Sequence, residues 1–369
     1  MPLHIEMAVP TLEIGGMERM VVSLAIGLAE RQHTVGVTCL NASGVLAEEL
    51  RRHDVRVSVV HAPTVLSNFR APALARHFRA LAPDVVHTHS GAWGRAVRAA
   101  KAAGVPRTIH TIHGRLDSDP WYDIALKRWE IRHTDHVVTV SSELSDDLRK
   151  RIGAPEAKVS VLINGIDTTV FAPNAAARAA KRATLGFDDA IVFGTVARLA
   201  PVKNQATLID TFTALHSALP SAMLVFIGDG PLGHELRARA AQSAAAARIQ
   251  FLGVHSDTES MYRALDFFVL PSLAEGTSMS LLEAMASQVP AIASPVGGNP
   301  RLLDNGGCGT LTTGCDVASL LESLQKAASN MAHAEEMARR ARDRVVREFS
   351  RAAMLDGYER LYQREAGRR

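Results

Sequence analysis

Short apolar runs of strand length recur along the whole chain, each followed by a stretch of helical length. "HIEMAV", "TVGVTCL", "VRVSVVH", "DVVHTH", "RTIHTIH", "HVVTVS" and "KVSVLI" read as strands in the first half. "AIVFGTVA", "AMLVFIG", "RIQFLG", "FFVLPS" and "PAIAS" repeat the pattern in the second. Ala-, Leu- and Arg-rich stretches lie between them, such as Glu18 to Arg31 and Ala92 to Ala103. Strands alternating with helices of about 10–15 residues predict βαβ units and parallel sheets. Strands this continuously apolar are expected where helices cover both sheet faces.

At 369 residues the chain exceeds the roughly 250–300 residues at which one core stops growing. Two doubly wound domains are therefore expected. "NGIDTTVFAPNAAARAAKR" carries Asn-Gly, Asp and Pro turn signals and no strand. It sets the boundary near Asn174, giving domains 1–173 and 174–349 with a last helix over 350–369. The Ala-rich run Ala240 to Ala247 reads as helix.

Net charge is +3 from 41 basic and 38 acidic residues. That balance argues against a nucleic-acid partner, which needs a concentrated basic face. Cys39, Cys308 and Cys315 are too few for a disulfide framework, so a reducing cytoplasm is the expected setting. The first residues, "MPLHIEMAVP", lack a basic leader, and no apolar run reaches the ~20 residues that span a bilayer. The C-terminal stretch "ARRARDRVVREFSRAAMLDGYERLYQREAGRR" is basic and helix-periodic. It reads as a solvated face, with peripheral contact to an anionic membrane as the sharper alternative.

Open parallel sheets bind ligands outside the carboxyl ends of their strands, so residues that follow strands are the candidates. Gly15 and Gly16 follow the first strand and precede a helix, where a backbone can approach an anion closely. Arg198 and Lys203 in "TVARLAPVKNQATLIDTF" supply a planar fork and a point charge, which together neutralise a diphosphate. Gly228-Asp229-Gly230 makes a tight turn after "VFI", and Gly253 ends "RIQFLG", where backbone groups could bond a base edge. In "LPSLAEGTSMSLLEAMASQVPAIASPVGG" two acids, Glu275 and Glu283, stand with seven residues between them. Thr277, Ser278 and Ser280 are good residues for a helix start. A helix N-terminus between the two acids would point free amides at an anion. Glu283, inside the helix among apolar neighbours, is expected either to be partly buried with a hydroxyl partner or to sit at a rim. One acid could accept sugar hydroxyls and the other ribose hydroxyls, which describes a sugar, a diphosphate and a ribose in line.

His113 closes "RTIHTIHG", where an imidazole can bond a substrate hydroxyl. His87 and His89 share one side of a strand near His110, but no Cys or carboxylate joins them at ligand spacing, and no metal site is expected. Asp117 and Asp119, before Pro120 and Trp121, read as turn chemistry.

Together "GGMERMVVSLAIGLAERQH", "VSVLINGIDTTVF", "VARLAPVKNQATLIDTF", "FIGDGP" and "EGTSMSLLEAMASQVPAIASPVGGNP" resemble the retaining glycosyltransferases of family 4, glycosyl transferases group 1. The resemblance spans nearly the whole chain. It implies the GT-B architecture: two Rossmann-like parallel-sheet domains facing a cleft, with a C-terminal helix crossing back to the first. It implies a donor domain binding a UDP- or GDP-linked sugar and an N-terminal domain binding a carbohydrate, lipid-linked or small-molecule acceptor, with acceptor loops such as 115–122. Arg198 and Lys203 match the family's pair on the donor diphosphate, Glu275 the acid facing the donor sugar, and Glu283 the one holding the ribose. Gly276, Thr277, Ser278 and Met279 match the loop contacting sugar and phosphate, Gly16 the loop closing over the diphosphate, and His113 a histidine near the anomeric centre. The family typically needs no divalent cation, and closure is expected by a hinge near 164–175. One position departs: Arg301 stands where the family often has an acid after "GG-x-P". The expected activity is retaining hexosyl transfer in polysaccharide or glycolipid synthesis. The alternatives are a glycoside phosphorylase of related fold and a two-lobed sugar-binding protein.

Overall fold

The structure is a computed structural model that describes residues 1–62, 71–113, 121–187 and 189–363, excluding the side chain of Trp121. Asp117, Asp119 and the expected acceptor-loop residues 115–120 lie outside the described residues, as do 364–369. Two compact units emerge, Met1–Gly165 with Arg351–Arg369, and Ile166–Ser350.

The first unit holds β1 (His4–Val9), β2 (Thr34–Cys39), β3 (Arg56–Val59), β4 (Val85–His89), β5 (Arg107–Ile112), β6 (His136–Thr139) and β7 (Val159–Val161). They form one sheet in the order β3-β2-β1-β4-β5-β6-β7, every pairing parallel. The helix Gly16–Glu30 buries Val21, Leu24, Ala25 and Leu28 on one side, against a core that includes Ile5, Met7, Val9 and Val37. Spacing of three and four residues puts those four on one helical stripe.

The helix Arg351–Gln363 also belongs to this unit. Its Met354, Leu355, Tyr358 and Tyr362 join the same core, and Leu355 packs so tightly on Gly27 that any side chain there would overlap it. Arg31 pairs with Asp356 and Glu359 at 2.7 Å each. The basic tail read as a single solvated face is therefore divided. Arg342 donates to the carbonyls of Phe171 and Ala286, Arg344 pairs with Asp304 and Glu348, and Arg351 pairs with Glu30. Among the described residues no helix is long and apolar enough to cross a membrane.

The second unit holds β8 (Val192–Val196), β9 (Met223–Ile227), β10 (Ile249–Gly253), β11 (Phe267–Leu270), β12 (Ala291–Ala293) and β13 (Thr310–Leu311). Their order is β10-β9-β8-β11-β12-β13, again parallel throughout. Phe193 and Phe267 stack at 5.1 Å across the β8–β11 pair and anchor its core. In both sheets the order reverses beside the unit's first strand, between β1 and β4 and between β8 and β11. Such a switch point leaves a crevice at the carboxyl ends, because the loops on either side run in opposite directions.

The units divide at Gly165, eight residues before the boundary expected at 173. Asn164 and Gly165 end the first unit, but the Asp and Pro signals lie in 166–173, and that segment is bound into the second unit. Ile166 donates to Phe349 O at 2.8 Å, and Arg263 donates to the carbonyls of Val170 and Ala172. The Ala-rich run is not one helix either. The helix Gly233–Ala241 stops there, and Ser243 Oγ instead accepts from Ala245 N at 3.1 Å, a local bond that competes with helix.

Candidate functional site

The loops leaving β8 and β11 flank the switch point of the second sheet, and a pocket of about 530 Å³ opens there. Of the residues singled out in the sequence, Arg198, Lys203, Glu275, Thr277, Ser278, Met279 and Glu283 line it together. Arg198 stands two residues past β8. Among the described residues its side chain makes no hydrogen bond or ion pair, and it is exposed to the pocket. Lys203 ends a short 3-10 turn, Pro201–Lys203, rather than opening the helix Gln205–His216.

The second acid-bearing loop is built around a helix start. Ser278 caps the helix Met279–Ala286, its Oγ accepting from Leu281 N at 3.4 Å. The remaining first-turn amides are free to meet an anion. The backbone at Gly297, with φ of +53°, passes against Glu275. A side chain at Gly297 would overlap the Glu275 carbonyl, and Gly298 N donates to Gly276 O at 3.1 Å. Two glycines thus allow one strand-end loop to press on the other and hold Glu275 in place.

Each acid is gripped through one oxygen. Glu275 Oε1 accepts from Ser272 Oγ at 2.6 Å and from Lys203 Nζ at 2.6 Å. Glu283 Oε2 accepts from the Tyr262 hydroxyl at 2.7 Å, so of the two expected settings it takes the one with a hydroxyl partner. Among the described residues neither acid has a hydrogen-bond partner on its other oxygen. Burial pushes the Glu283 carboxyl up to about 7, against the opposing pull of the Tyr262 hydroxyl.

Three further positions sit beside the pocket rather than in its wall. Gly230 lies against the backbone of Leu199, where a side chain would not fit, while Gly228 and Asp229 form the wall. Gly253 holds φ at +76° and its carbonyl already accepts from Gly228 N at 2.7 Å; Val254 and His255 line the pocket instead. Gly276 has no positive φ, and a methyl group placed on it would meet no atom within 4 Å, so the fold itself does not require glycine there. Asp229, read as part of a strand-end turn, and Ser280, read as part of a helix start, also line the wall, while sequence reasoning missed His255 and Thr258 there and Ser272 and Tyr262 behind it. A strand-end position signals His255. A tyrosine amid "SMYRALDFF" carries a weaker signal, since a buried phenol needs a polar partner.

Gly15, Gly16 and His113 belong to the first unit. Gly15 is extended, with φ of −164°, and caps the helix Gly16–Glu30. A side chain at Gly16 would meet nothing within 4 Å, so no tight turn accounts for that glycine. His113 follows β5, with Nε2 3.1 Å from His89 Nδ1. Burial lowers its imidazole to about 4. His87 is spent on Tyr362 and Thr111, at 2.8 and 2.7 Å, and burial followed by repulsion from His113 lowers it to about 3. His110 stacks on Trp93 at 4.0 Å. Among the described residues no group of three His, Cys, Asp or Glu is placed to hold a metal. Arg301 is exposed in the short helix Asn299–Leu302 and does not line the pocket.

Two parallel-sheet units, with an anion-ready pocket and paired acids at a switch point, define a sugar-transferring enzyme of the GT-B class, and comparison with known proteins agrees. The family profile "Glycosyltransferase Family 4" matches residues 14–170 and "Glycosyl transferases group 1" matches 177–344; the chain belongs to the family-4 glycosyltransferases. It is 28% identical over 370 residues, covering 95% of this chain and 94% of the relative, to the UDP-Gal:alpha-D-GlcNAc-diphosphoundecaprenol alpha-1,3-galactosyltransferase of Escherichia coli. A GDP-mannose-dependent alpha-(1-6)-phosphatidylinositol monomannoside mannosyltransferase of Mycolicibacterium smegmatis is 29% identical over 61% of this chain and 62% of its own. In fold the chain is similar to Alr3699/HepE of Anabaena solved with UDP, with a TM-score of 0.85 at 20% identity over 97% of this chain and 99% of that one.

Proposed function

We propose that this enzyme transfers a hexosyl group from a nucleotide-diphospho-sugar to a hydroxyl acceptor with retention of anomeric configuration. The observation that carries the reading is the pocket in which Arg198, Lys203 and the N-terminus of the helix Met279–Ala286 converge between two half-committed acids. A diphosphate fits that convergence of positive charge. Glu275 and Glu283 then present one unpartnered oxygen each, to sugar hydroxyls and to ribose hydroxyls respectively.

The chemistry follows from where charge develops. The bond between the anomeric carbon and the diphosphate oxygen breaks, and its electron pair stays on the diphosphate. Arg198, the ammonium hydrogens of Lys203 not given to Glu275, and the first-turn amides beyond Ser278 stabilise that charge, which is the usual large electrostatic contribution. The acceptor oxygen forms its bond on the face the diphosphate leaves, and its proton passes to a phosphate oxygen. Glu275 orients the sugar and is not the nucleophile: its Oε1 is already shared by Ser272 and Lys203. The cationic groups supply the charge stabilisation that a divalent ion would otherwise give.

The names of the relatives support the substrate class. The E. coli protein is named for a UDP-sugar and an acceptor linked to diphosphoundecaprenol, and the mycolicibacterial one for GDP-mannose and a phosphatidylinositol mannoside. Both names give alpha products, which retention yields from alpha-linked nucleotide sugars. A UDP- or GDP-linked hexose and a lipid-linked acceptor at the membrane surface are accordingly the proposed pair, in glycoconjugate synthesis. Incubation with a panel of UDP- and GDP-hexoses, read by nucleoside diphosphate release and by NMR of the product's anomeric proton, tests this. Release of hexose phosphate from an added oligosaccharide and inorganic phosphate, with no nucleoside diphosphate from any donor, would replace the reading with a phosphorylase.

A further inference from the structure

Tyr262 is fully buried and does not line the pocket, yet its hydroxyl reaches it through one partner. That partner is Glu283 Oε2, at 2.7 Å. Glu283 lies on the pocket wall, and among the described residues its side chain accepts no other hydrogen bond. The phenol ring is itself fixed: Phe171 meets it edge-on with centroids 5.9 Å apart, and Phe268 lies at 5.7 Å. A ring held between two aromatics delivers its hydroxyl to one point. The carboxylate it grips loses its freedom to rotate, and among the described residues its second oxygen has no hydrogen-bond partner.

Resting on the assignment of Glu283 to the ribose, we propose that Tyr262 is the positioning residue for ribose recognition. It sets one carboxylate oxygen of Glu283 for the vicinal 2′- and 3′-hydroxyls of a nucleoside diphosphate. Without it the acid is present but must be ordered when the ligand arrives, at a cost typical of immobilising a flexible side chain. The effect is confined to the ribose end. Tyr262 shares no hydrogen bond with Arg198 or Lys203, the groups assigned to the diphosphate.

The test is calorimetry of the full chain with UDP and GDP and with their 2′,3′-dideoxy analogues. The wild type is expected to favour at least one ribonucleotide over its dideoxy form by about tenfold or more, as befits a hydrogen bond to a charged group. In Tyr262→Phe, which keeps the ring, that preference falls to within about threefold while dideoxy binding is unchanged. A Tyr262→Phe variant that keeps the full preference overturns the positioning role and leaves the ribose assignment standing. A wild type that binds both forms equally overturns the ribose assignment itself, and the inference with it. Should Tyr262→Phe fail to fold, Glu283→Ala and the Glu283→Ala/Tyr262→Phe double variant remove both the orphaned charge and the group that the hydroxyl holds. The two must then show the same ribo-to-dideoxy ratio, and a further loss on adding Tyr262→Phe would mark a purely structural role.

Discussion

Lys203 Nζ lies 2.6 Å from Glu275 Oε1, so a pocket cation and a pocket acid are held as a pair. The family resemblance assigns the lysine to a diphosphate and the acid to a sugar. The pairing joins those two ends of the proposed donor through one ammonium group, which has hydrogens left for a phosphate.

Removing either cation should slow turnover by on the order of 10²-fold or more, if both act on developing charge. Stability separates them. Lys203→Ala leaves the Glu275 carboxylate, only 8% exposed, with Ser272 as its one partner, at a cost on the order of 1–3 kcal/mol. Arg198→Ala should leave thermal unfolding unchanged, because among the described residues its guanidinium has no partner to lose. Calorimetric melts of the two variants beside steady-state rates check this; equal melts would mean the ion pair contributes nothing.

Glu283 gives a pH signature. Its folded value of about 7 lies above the ordinary 4.5 of a glutamate. A raised carboxyl favours the folded state when protonated, so the stability it contributes at low pH is lost as pH climbs from 4.5 through 7. Glu283→Gln, which removes the buried charge, should raise the melting temperature at pH 8 by a few degrees relative to its effect at pH 5. A shift of the same size at both pH values would show that the acid is not held protonated.

The buried imidazoles of the first unit predict the opposite direction. His113 at about 4 and His87 at about 3 sit below the ordinary 6.5. A lowered histidine keeps the fold intact above 6.5 and destabilises it as pH falls through those values, by on the order of a few kcal/mol. Trp93, Trp121 and Trp129, the chain's three tryptophans, all precede Gly165. Tryptophan fluorescence therefore reports the first unit alone, and it should show acid unfolding between pH 5 and 3. Replacing His87 by Gln should move the midpoint to lower pH.

Glycines divide by purpose. If the proposed contact of this loop with the donor holds, Gly276→Ala should weaken binding of UDP or GDP, but it should leave the melting temperature where it is, since open space surrounds the missing side chain. Gly297→Ala should lower it, because the φ of +53° and the Glu275 carbonyl both oppose a side chain. A stable, fully active Gly297→Ala protein would show that the loop can shift at little cost.

The sequence made most of the sheet architecture legible, because strands covered on both faces leave unbroken apolar runs. It missed β13, whose Thr310–Leu311 is two residues long and carries no such run. It placed the unit boundary by turn residues, whereas what binds 166–173 is side chains from Arg263 and Arg342 far along the chain. At the pocket, residues that follow strands were legible; those that act from behind were not. Ser272 and Tyr262 matter through a hydroxyl aimed at an acid, and nothing in their immediate neighbourhood distinguishes them from core. The histidines of β4 and β5 were visible, but Tyr362, which bonds His87, and Tyr358, which bonds the Thr111 hydroxyl beside it, lie some two hundred and fifty residues away.

Ile166 and Ser350 form a parallel bridge, reinforced by the bond from Ile166 N to Phe349 O. The second unit therefore starts and finishes at a single seam, and everything that lines the anion pocket lies between those two residues. A chain joined in this way can exchange its whole central cassette by two cuts made side by side. Donor preference could then be transplanted between relatives as one block, while the flanking unit keeps its own sequence and whatever it recognises.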